Sequence, residues 1–344
     1  MNQNGTRRWF GSWLQIGLGL IVGAGALYLA ARGIDLLKLA EALQAVRLPF
    51  VFLALITGLL TPVIKAQRWR WLFYPNRPNL SLLRLADLVV IGQAVNFLIP
   101  ARLGEVVRVY LTGEEAGISK AYVLGTLAAE KLLDLVVLAL LVVSLIPFLP
   151  IPGWMAGRTG PILVTTALVC VATGVLLGRR RLLLRLVDWA FRPLSPASAA
   201  RWRTWIGSGL DGLAALGDRR AAVAIWGWTA AFWAVAGLTN LLLLVAFGLP
   251  ASALIALFVL AVLQGGVAVP STPGKIGVFH YLSVLALSVF GVPAATALAY
   301  GLMLHVLVVG SISAWAAIAL WRRSWSMSRL ARAASRGGEL SSRA

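Results

Sequence analysis

The sequence predicts an all-α, polytopic helical membrane protein of about six spans plus two re-entrant helical hairpins, arranged as an inverted repeat. Three observations lead there. First, 60% of the 344 residues are hydrophobic and only 12% are charged, about half the charged share of a soluble domain. Second, apolar runs near the ~20 residues needed to cross a bilayer recur along the chain. Third, two further apolar stretches are short and broken by Pro and Gly, and such breaks survive at membrane depth only when buried in protein or lining a wet cavity. No long polar block leaves room for a soluble domain of ordinary size.

The six expected spans are Trp13–Ala31, Pro49–Lys65, Ala121–Pro147, Pro161–Leu177, Ala221–Phe247 and Ala294–Leu320. The first follows Arg7 and Arg8 and has no clear small-residue cleavage site after it, so it reads as an uncleaved span rather than a signal peptide. The first broken stretch, Leu85–Pro100, runs into the charged turn Ala101-Arg102-Leu103-Gly104-Glu105. The second, Ala251–Val269, meets Pro270-Ser271-Thr272-Pro273-Gly274-Lys275 and resumes as Ile276–Phe290. Hydropathy alone leaves open whether these arms re-enter or cross fully.

Basic residues fix the expected orientation. They crowd before the first span (Arg7, Arg8), after the second (Lys65, Arg68, Arg70, Arg77, Arg84), through Arg179–Arg220, and in the tail from Arg322 to Arg343, whereas Arg158 stands alone between the third and fourth spans. The positive-inside rule then puts both termini in the cytoplasm, with the chain a multi-pass protein of the cell (inner or plasma) membrane. The net charge of +19 is accounted for by topology and anionic lipid headgroups, with no nucleic-acid partner. Segment 179–220 alternates Arg with Leu, Trp and Phe and reads as amphipathic helix on the cytoplasmic face. Residues 323–344 read as a basic, disordered tail. Trp9, Trp13, Trp69, Trp71, Trp321 and Trp325 read as an interfacial belt. Cys170 is the one cysteine, so no intramolecular disulfide forms.

The two broken stretches share a pattern of Pro, small residue, cation, aliphatic and Gly: Pro100-Ala101-Arg102-Leu103-Gly104 and Pro273-Gly274-Lys275-Ile276-Gly277. These are the expected hinge or turn residues. A single membrane domain, 1–322, then divides into a first half, 13–148, and a second half, 161–321. Three spans per half is odd, so the second half enters inverted, and inverted repeats with broken helices characterise many transporters.

Each hairpin is followed by a span containing ionisable residues: Glu130, Lys131 and Asp134 in the first half, His305 in the second. Such groups are costly in a membrane and ask for a reason. Lys131 and Asp134 are three apart and can pair; Glu130 then needs another partner, Arg102 or Arg108. Arg102, Glu105 and Arg108 recur every third residue on one helical strip which, with the free N–H groups of a helix N-terminus, suits a phosphate headgroup. Lys275 adds a cation from the other half. Two readings stand for Gln93, Asn96 and Gln264: substrate contacts, or partners for broken backbone. His280 and His305 are the only histidines, read either as packing residues or as proton-handling groups alongside Glu130, Lys131 and Asp134. No Gly-rich nucleotide loop, Gly-x-Ser-x-Gly elbow or HExxH is present, so no enzyme activity, cofactor or metal site is expected.

Four motifs give the chain a family resemblance: Arg68-Trp69; Asn96-Phe97-Leu98-Ile99-Pro100-Ala101-Arg102-Leu103-Gly104-Glu105-Val106-Val107-Arg108; Glu130-Lys131-Leu132-Leu133-Asp134; and Thr272-Pro273-Gly274-Lys275-Ile276-Gly277-Val278-Phe279-His280. The sequence resembles, from about Trp13 to Trp321, the flippase-like family named for the transmembrane region of lysylphosphatidylglycerol synthase. The resemblance implies lipid translocation, or a role in lipid and polyprenol glycoconjugate assembly as an embedded enzyme or as a scaffold for a separate synthase or glycosyltransferase. Some members carry a fused aminoacyl-transfer domain; with this chain ending at Ala344, that activity is expected to be absent. The family often has Arg at Lys131, Gly at Lys275, Glu at His280 and Arg at His305. The last two form a natural ion pair, so His280 and His305 are expected to approach each other in its place. Lipid identity, direction, energy coupling and oligomeric state are not legible.

Overall fold

The computed structural model describes residues 21–98, 103–149, 160–161, 164–168, 171, 185, 196–266 and 273–323. Regular structure among the described residues is entirely helical. The helices are α1 (Ile21–Ala31), α2 (Leu36–Gln44), α3 (Leu48–Leu72), α4 (Leu82–Leu98), α5 (Leu103–Ala116), α6 (Lys120–Leu145), α7 (Pro196–Asp211), α8 (Arg219–Ala246), α9 (Ala253–Gly266) and α10 (Val278–Ser288), and α11 (Ala294–Arg322), which passes through a π-helical turn at Val306–Gly310.

Local sequence explains the boundaries. Asp35 caps α2 by accepting the Leu37 N–H at 2.9 Å, and Asp218 caps α8 through the Ala221 N–H at 2.9 Å. Pro49 lies in the first turn of α3, where its missing N–H leaves no bond unmade. α3 continues past Lys65, where the expected span stopped, because Trp69, Leu72 and Phe73 are wholly buried and extend its packed face.

Among the described residues four helices are long and apolar enough to cross a membrane: α3, α6 with its 3₁₀ extension to Phe148, α8 and α11. They match four of the six expected spans. Of the other two, α1 is the described part of Trp13–Ala31, while most of Pro161–Leu177 lies outside the described residues. The chain is a multi-pass helical membrane protein.

Between the long helices lie two hairpins of short ones. Their arms have 17, 14, 14 and 11 residues. At ~1.5 Å per residue the longest rises ~26 Å, short of the ~30 Å hydrocarbon layer. In the first hairpin α4 and α5 touch at backbone distance: a methyl on Gly104 would run into the Gly92 carbonyl. Asn96 Oδ1 accepts the Gly104 N–H at 2.7 Å, closing the turn. The second turn has positive φ at Gly274 (69°), Lys275 (59°) and Gly277 (90°), which is why Gly stands at two of the three positions. The Pro273–Lys275 turn packs on α4, and Lys275 Nζ lies 5.7 Å from the Phe97 ring centroid. Pro100, Ala101 and Arg102 lie outside the described residues.

α3 and α8 run antiparallel along each other. The Arg47 N–H donates to the Ala246 carbonyl at 2.9 Å, Thr239 Oγ1 lies 2.8 Å from Thr57 Oγ1, and Lys65 reaches Phe232. Around this axis the packing of one half recurs in the other. α3 on α4, α4 on α5 and α5 on α6 are matched by α8 on α9, α9 on α10 and α10 on α11. Across the halves, α4 on α11 is matched by α9 on α6, and α2 on α11 by α7 on α6. One pairing lacks its counterpart: α3 packs along α11, whereas the α6 and α8 backbones scarcely meet. Of segment 179–220, α7 is a helix packed against α6; residues 179–184 and 186–195 lie outside the described residues.

The glycine contact sets a test of the first hairpin. Gly104→Leu is expected to destabilise the fold by ~1–3 kcal/mol, the usual range for overpacking. Gly58→Leu, whose added Cβ meets nothing within 4 Å, should unfold near wild type. Thermal unfolding followed by tryptophan fluorescence measures both.

Candidate functional site

The charged residues of α3, α5 and α6 converge at the root of the first hairpin. Glu130 and Asp134, four apart, share one face of α6, as helical periodicity requires. Arg68 of α3 grips Asp134 with both terminal nitrogens, at 2.6 and 3.1 Å, and comes within 3.4 Å of Glu130. Arg108 of α5 meets Glu130 through two nitrogens at 2.9 and 3.4 Å. Its guanidinium lies over the Trp69 ring, 3.7 Å from the centroid. The Trp69 indole N–H donates to Thr126 Oγ1 at 3.0 Å, anchoring that ring to α6. Two guanidinium groups thus neutralise two carboxylates in a site where the Arg68 side chain is 0% and the Glu130 side chain 2% exposed.

A shallower branch runs toward the turn. Lys131 Nζ lies 3.3 Å from Glu105 Oε1, and Asn96 donates to Glu105 Oε2 at 2.9 Å. Asn96 therefore serves the broken backbone, through Gly104, and also the Glu105 carboxylate. Gln93 Oε1 is buried without a hydrogen-bond partner among the described residues.

This geometry bears out one expectation and corrects others. Lys131 does not pair with Asp134; it leans outward to Glu105, and Arg68 takes the Asp134 carboxylate. Glu130 finds Arg108, as one alternative held, and Arg68 besides. Trp69 is not interfacial but completely buried. Arg68, counted from sequence only as a loop charge, is the central cation; the signal that marks it is the Arg68-Trp69 motif. Glu105 and Arg108 share a strip but serve different partners, and Arg102 falls outside the described residues.

In the second half, His280 and His305 meet as the resemblance implied. Their facing nitrogens, His280 Nε2 and His305 Nδ1, are 3.1 Å apart. The Gly277 N–H donates to His280 Nδ1 at 3.3 Å, and His305 Nε2 lies 2.8 Å from the Gly274 carbonyl oxygen. One proton assignment satisfies all four ring nitrogens: both rings neutral, each carrying hydrogen on Nε2. The chain then runs from the Gly277 N–H through His280 and His305 to the Gly274 carbonyl, clamping the left-handed turn onto α11. Phe279 stacks on His305 with centroids 5.2 Å apart.

Sequence reasoning missed a third cluster. Asp87 of α4, 3% exposed, accepts from the Trp315 indole at 3.0 Å, from Arg322 at 2.9 Å and from Arg323 at 3.2 Å. Arg323 also reaches Glu115 at 2.5 Å. A 480 Å³ cavity lies beside this knot, bordered by Arg84 among others. The only sequence signal was one acid in a short apolar arm and two adjacent arginines at the end of the last span. Arg323, expected in the disordered tail, is bound into the fold. No group of three or more His, Cys, Asp or Glu among the described residues is placed to hold a metal.

Two measurements check this site. Glu130→Gln strands a buried guanidinium and is expected to destabilise by ~3–5 kcal/mol, whereas the double variant Arg108→Met/Glu130→Leu should recover most of that loss in chemical unfolding. Nitrogen-15 NMR of the two histidines at neutral pH should show both rings as the Nε2–H tautomer; an Nδ1–H signal from either would contradict the clamp.

The family model described as the lysylphosphatidylglycerol synthase TM region matches residues 16–316. No curated protein and no solved structure matches the chain. The matched stretch takes in both hairpins, the ion network and the histidine clamp. The chain belongs to the family of the lysylphosphatidylglycerol synthase transmembrane region.

Proposed function

We propose that the protein translocates an anionic or lipid-linked substrate across the cell membrane, with both termini in the cytoplasm. The observation that carries this reading is the buried ion network at the hairpin root. Glu130 lies ten residues into α6, ~15 Å along its axis and so near the middle of a ~30 Å hydrocarbon layer. Charges at that depth are expensive, and membrane proteins retain them where they line a substrate or ion path. The turn of the second hairpin packs on α4, the leading arm of the first, and inverted-repeat transporters enclose a site between two such half-barriers. Family membership supports a membrane role linked to lipids.

In this reading Asn96, Glu105 and Lys131 hold the first turn, Lys275 faces it from the second, and Arg102 and Arg108 supply cations for an anionic headgroup. Glu130 and Asp134 keep the guanidinium groups oriented, and His280 and His305 fix the opposite turn. Transport needs no group transfer, cofactor or metal.

Reconstitution into liposomes tests the reading. Fluorescent phosphatidylglycerol is expected to cross faster with wild type than in protein-free vesicles, and Arg108→Met/Glu130→Leu should fold yet fall to the protein-free rate. Wild type matching empty vesicles across several anionic lipids would end the proposal. A double variant that transports normally would reduce the ion network to packing.

A further inference from the structure

We propose that the seam between α6 and α8 is a lateral binding site for the anionic headgroup of a glycerophospholipid, anchored by the Lys65 ammonium. This rests on the lipid-translocation reading and names where the lipid enters. The charge balance comes first. Arg68 and Arg108 are neutralised by Asp134 and Glu130, and Lys131 by Glu105. Lys65, one turn before Arg68 on α3, has no ion-pair partner among the described residues. Asp134 and Glu130 act on it electrostatically without coming within ion-pair distance.

Its position is equally telling. Lys65 Nζ lies 4.5 Å from the ring centroid of Phe232 on α8, and the Arg68 guanidinium is 5.6 Å from the same centroid. Arg68 Nε is buried with no acceptor among the described residues, so a second donor beside the ammonium is unfilled there. A lysine escaping to the interface would lie along α3 toward Leu72. The antiparallel pairing instead puts Phe232 level with Ile64, so this ammonium is held sideways, at its own depth, between α8 and the charged face of α6.

The seam is where the two halves fail to match. α3 packs along α11, but the α6 and α8 backbones scarcely meet, and only apolar side chains of the two join a cluster around Ile64 of α3. α9 packs on both walls at one end. At the other, α7 packs on α6 and the 3₁₀ turn Ala214–Gly217 on α8. Val137, Leu138 and Leu141 on one wall and Trp228 on the other are partly buried apolar side chains, suited to acyl chains beside a cation-bound phosphate. An ammonium without a contact ion pair among the described residues, beside apolar side chains, fits an anionic phospholipid and disfavours a zwitterionic or cationic one.

The test uses the purified full chain, delipidated in detergent and titrated with phosphatidylglycerol or phosphatidylcholine, with retained lipid read by native mass spectrometry. Wild type should retain phosphatidylglycerol preferentially. Lys65→Gln should weaken that retention about fivefold, Lys65→Arg should restore it, and Lys38→Gln on α2 should leave it unchanged. Equal retention of both lipids by wild type, or undiminished phosphatidylglycerol on Lys65→Gln, overturns the proposal. Should Lys65→Gln fail to fold, Leu138→Cys in a Cys170→Ser background carries a fluorophore on the seam wall. Bromine-labelled phosphatidylglycerol must then quench it more than bromine-labelled phosphatidylcholine, and equal quenching overturns the proposal. Lysine-dependent binding without flux would leave the seam and remove translocation; flux and binding both unchanged in Lys65→Gln would remove the seam alone.

Discussion

Two carboxylates one turn apart on α6, Glu130 buried and Asp134 partly so, are each neutralised where they stand by a guanidinium. That pairing organises the first half. It fixes how far α3 extends, since Arg68 reaches Asp134 only if the helix runs past Lys65. It fixes the depth of α5, because Arg108 must stand beside Glu130. It explains why Trp69 is buried: the ring supports one guanidinium while its N–H is satisfied by Thr126. Removing any member leaves a charge in low dielectric, so the network behaves as a unit.

The second half solves the same geometric problem with neutral groups. Where the first turn is closed by Asn96 and an ionic branch, the second is clamped by two imidazoles through three hydrogen bonds. A neutral clamp needs no counter-ion, so the second turn packs on α4 with Lys275 as its only charge. The halves thus share a backbone plan and differ in how each turn is held.

Much of this was legible in the sequence, for identifiable reasons. Hydropathy found the long helices because a membrane helix must be apolar along its length. Pro and Gly marked the turns because no other residues tolerate them so readily. The resemblance, not spacing, brought His280 to His305, since no local rule joins residues on separate helices. Partner choice in the ion network failed for the same reason. Lys131 and Asp134 are well spaced to pair, but helical spacing permits a contact without requiring it, and Arg68 offered a bidentate fit that an ammonium cannot. Lys65 and Arg68 were taken for loop charges because a hydropathy reading ends a span at its first cation, whereas a buried helix carries cations inward when partners await them. Asp87 escaped notice because its partners are more than two hundred residues away.

The Asp87 knot has no mirror image. The offset that carries Pro100 onto Pro273 carries Asp87 onto Leu260, a buried residue in an apolar cluster. One rim of the molecule is therefore fastened by ions and the other by oil. Built on one backbone plan, the two rims are thus held by unlike forces, an asymmetry that lies wholly in their side chains.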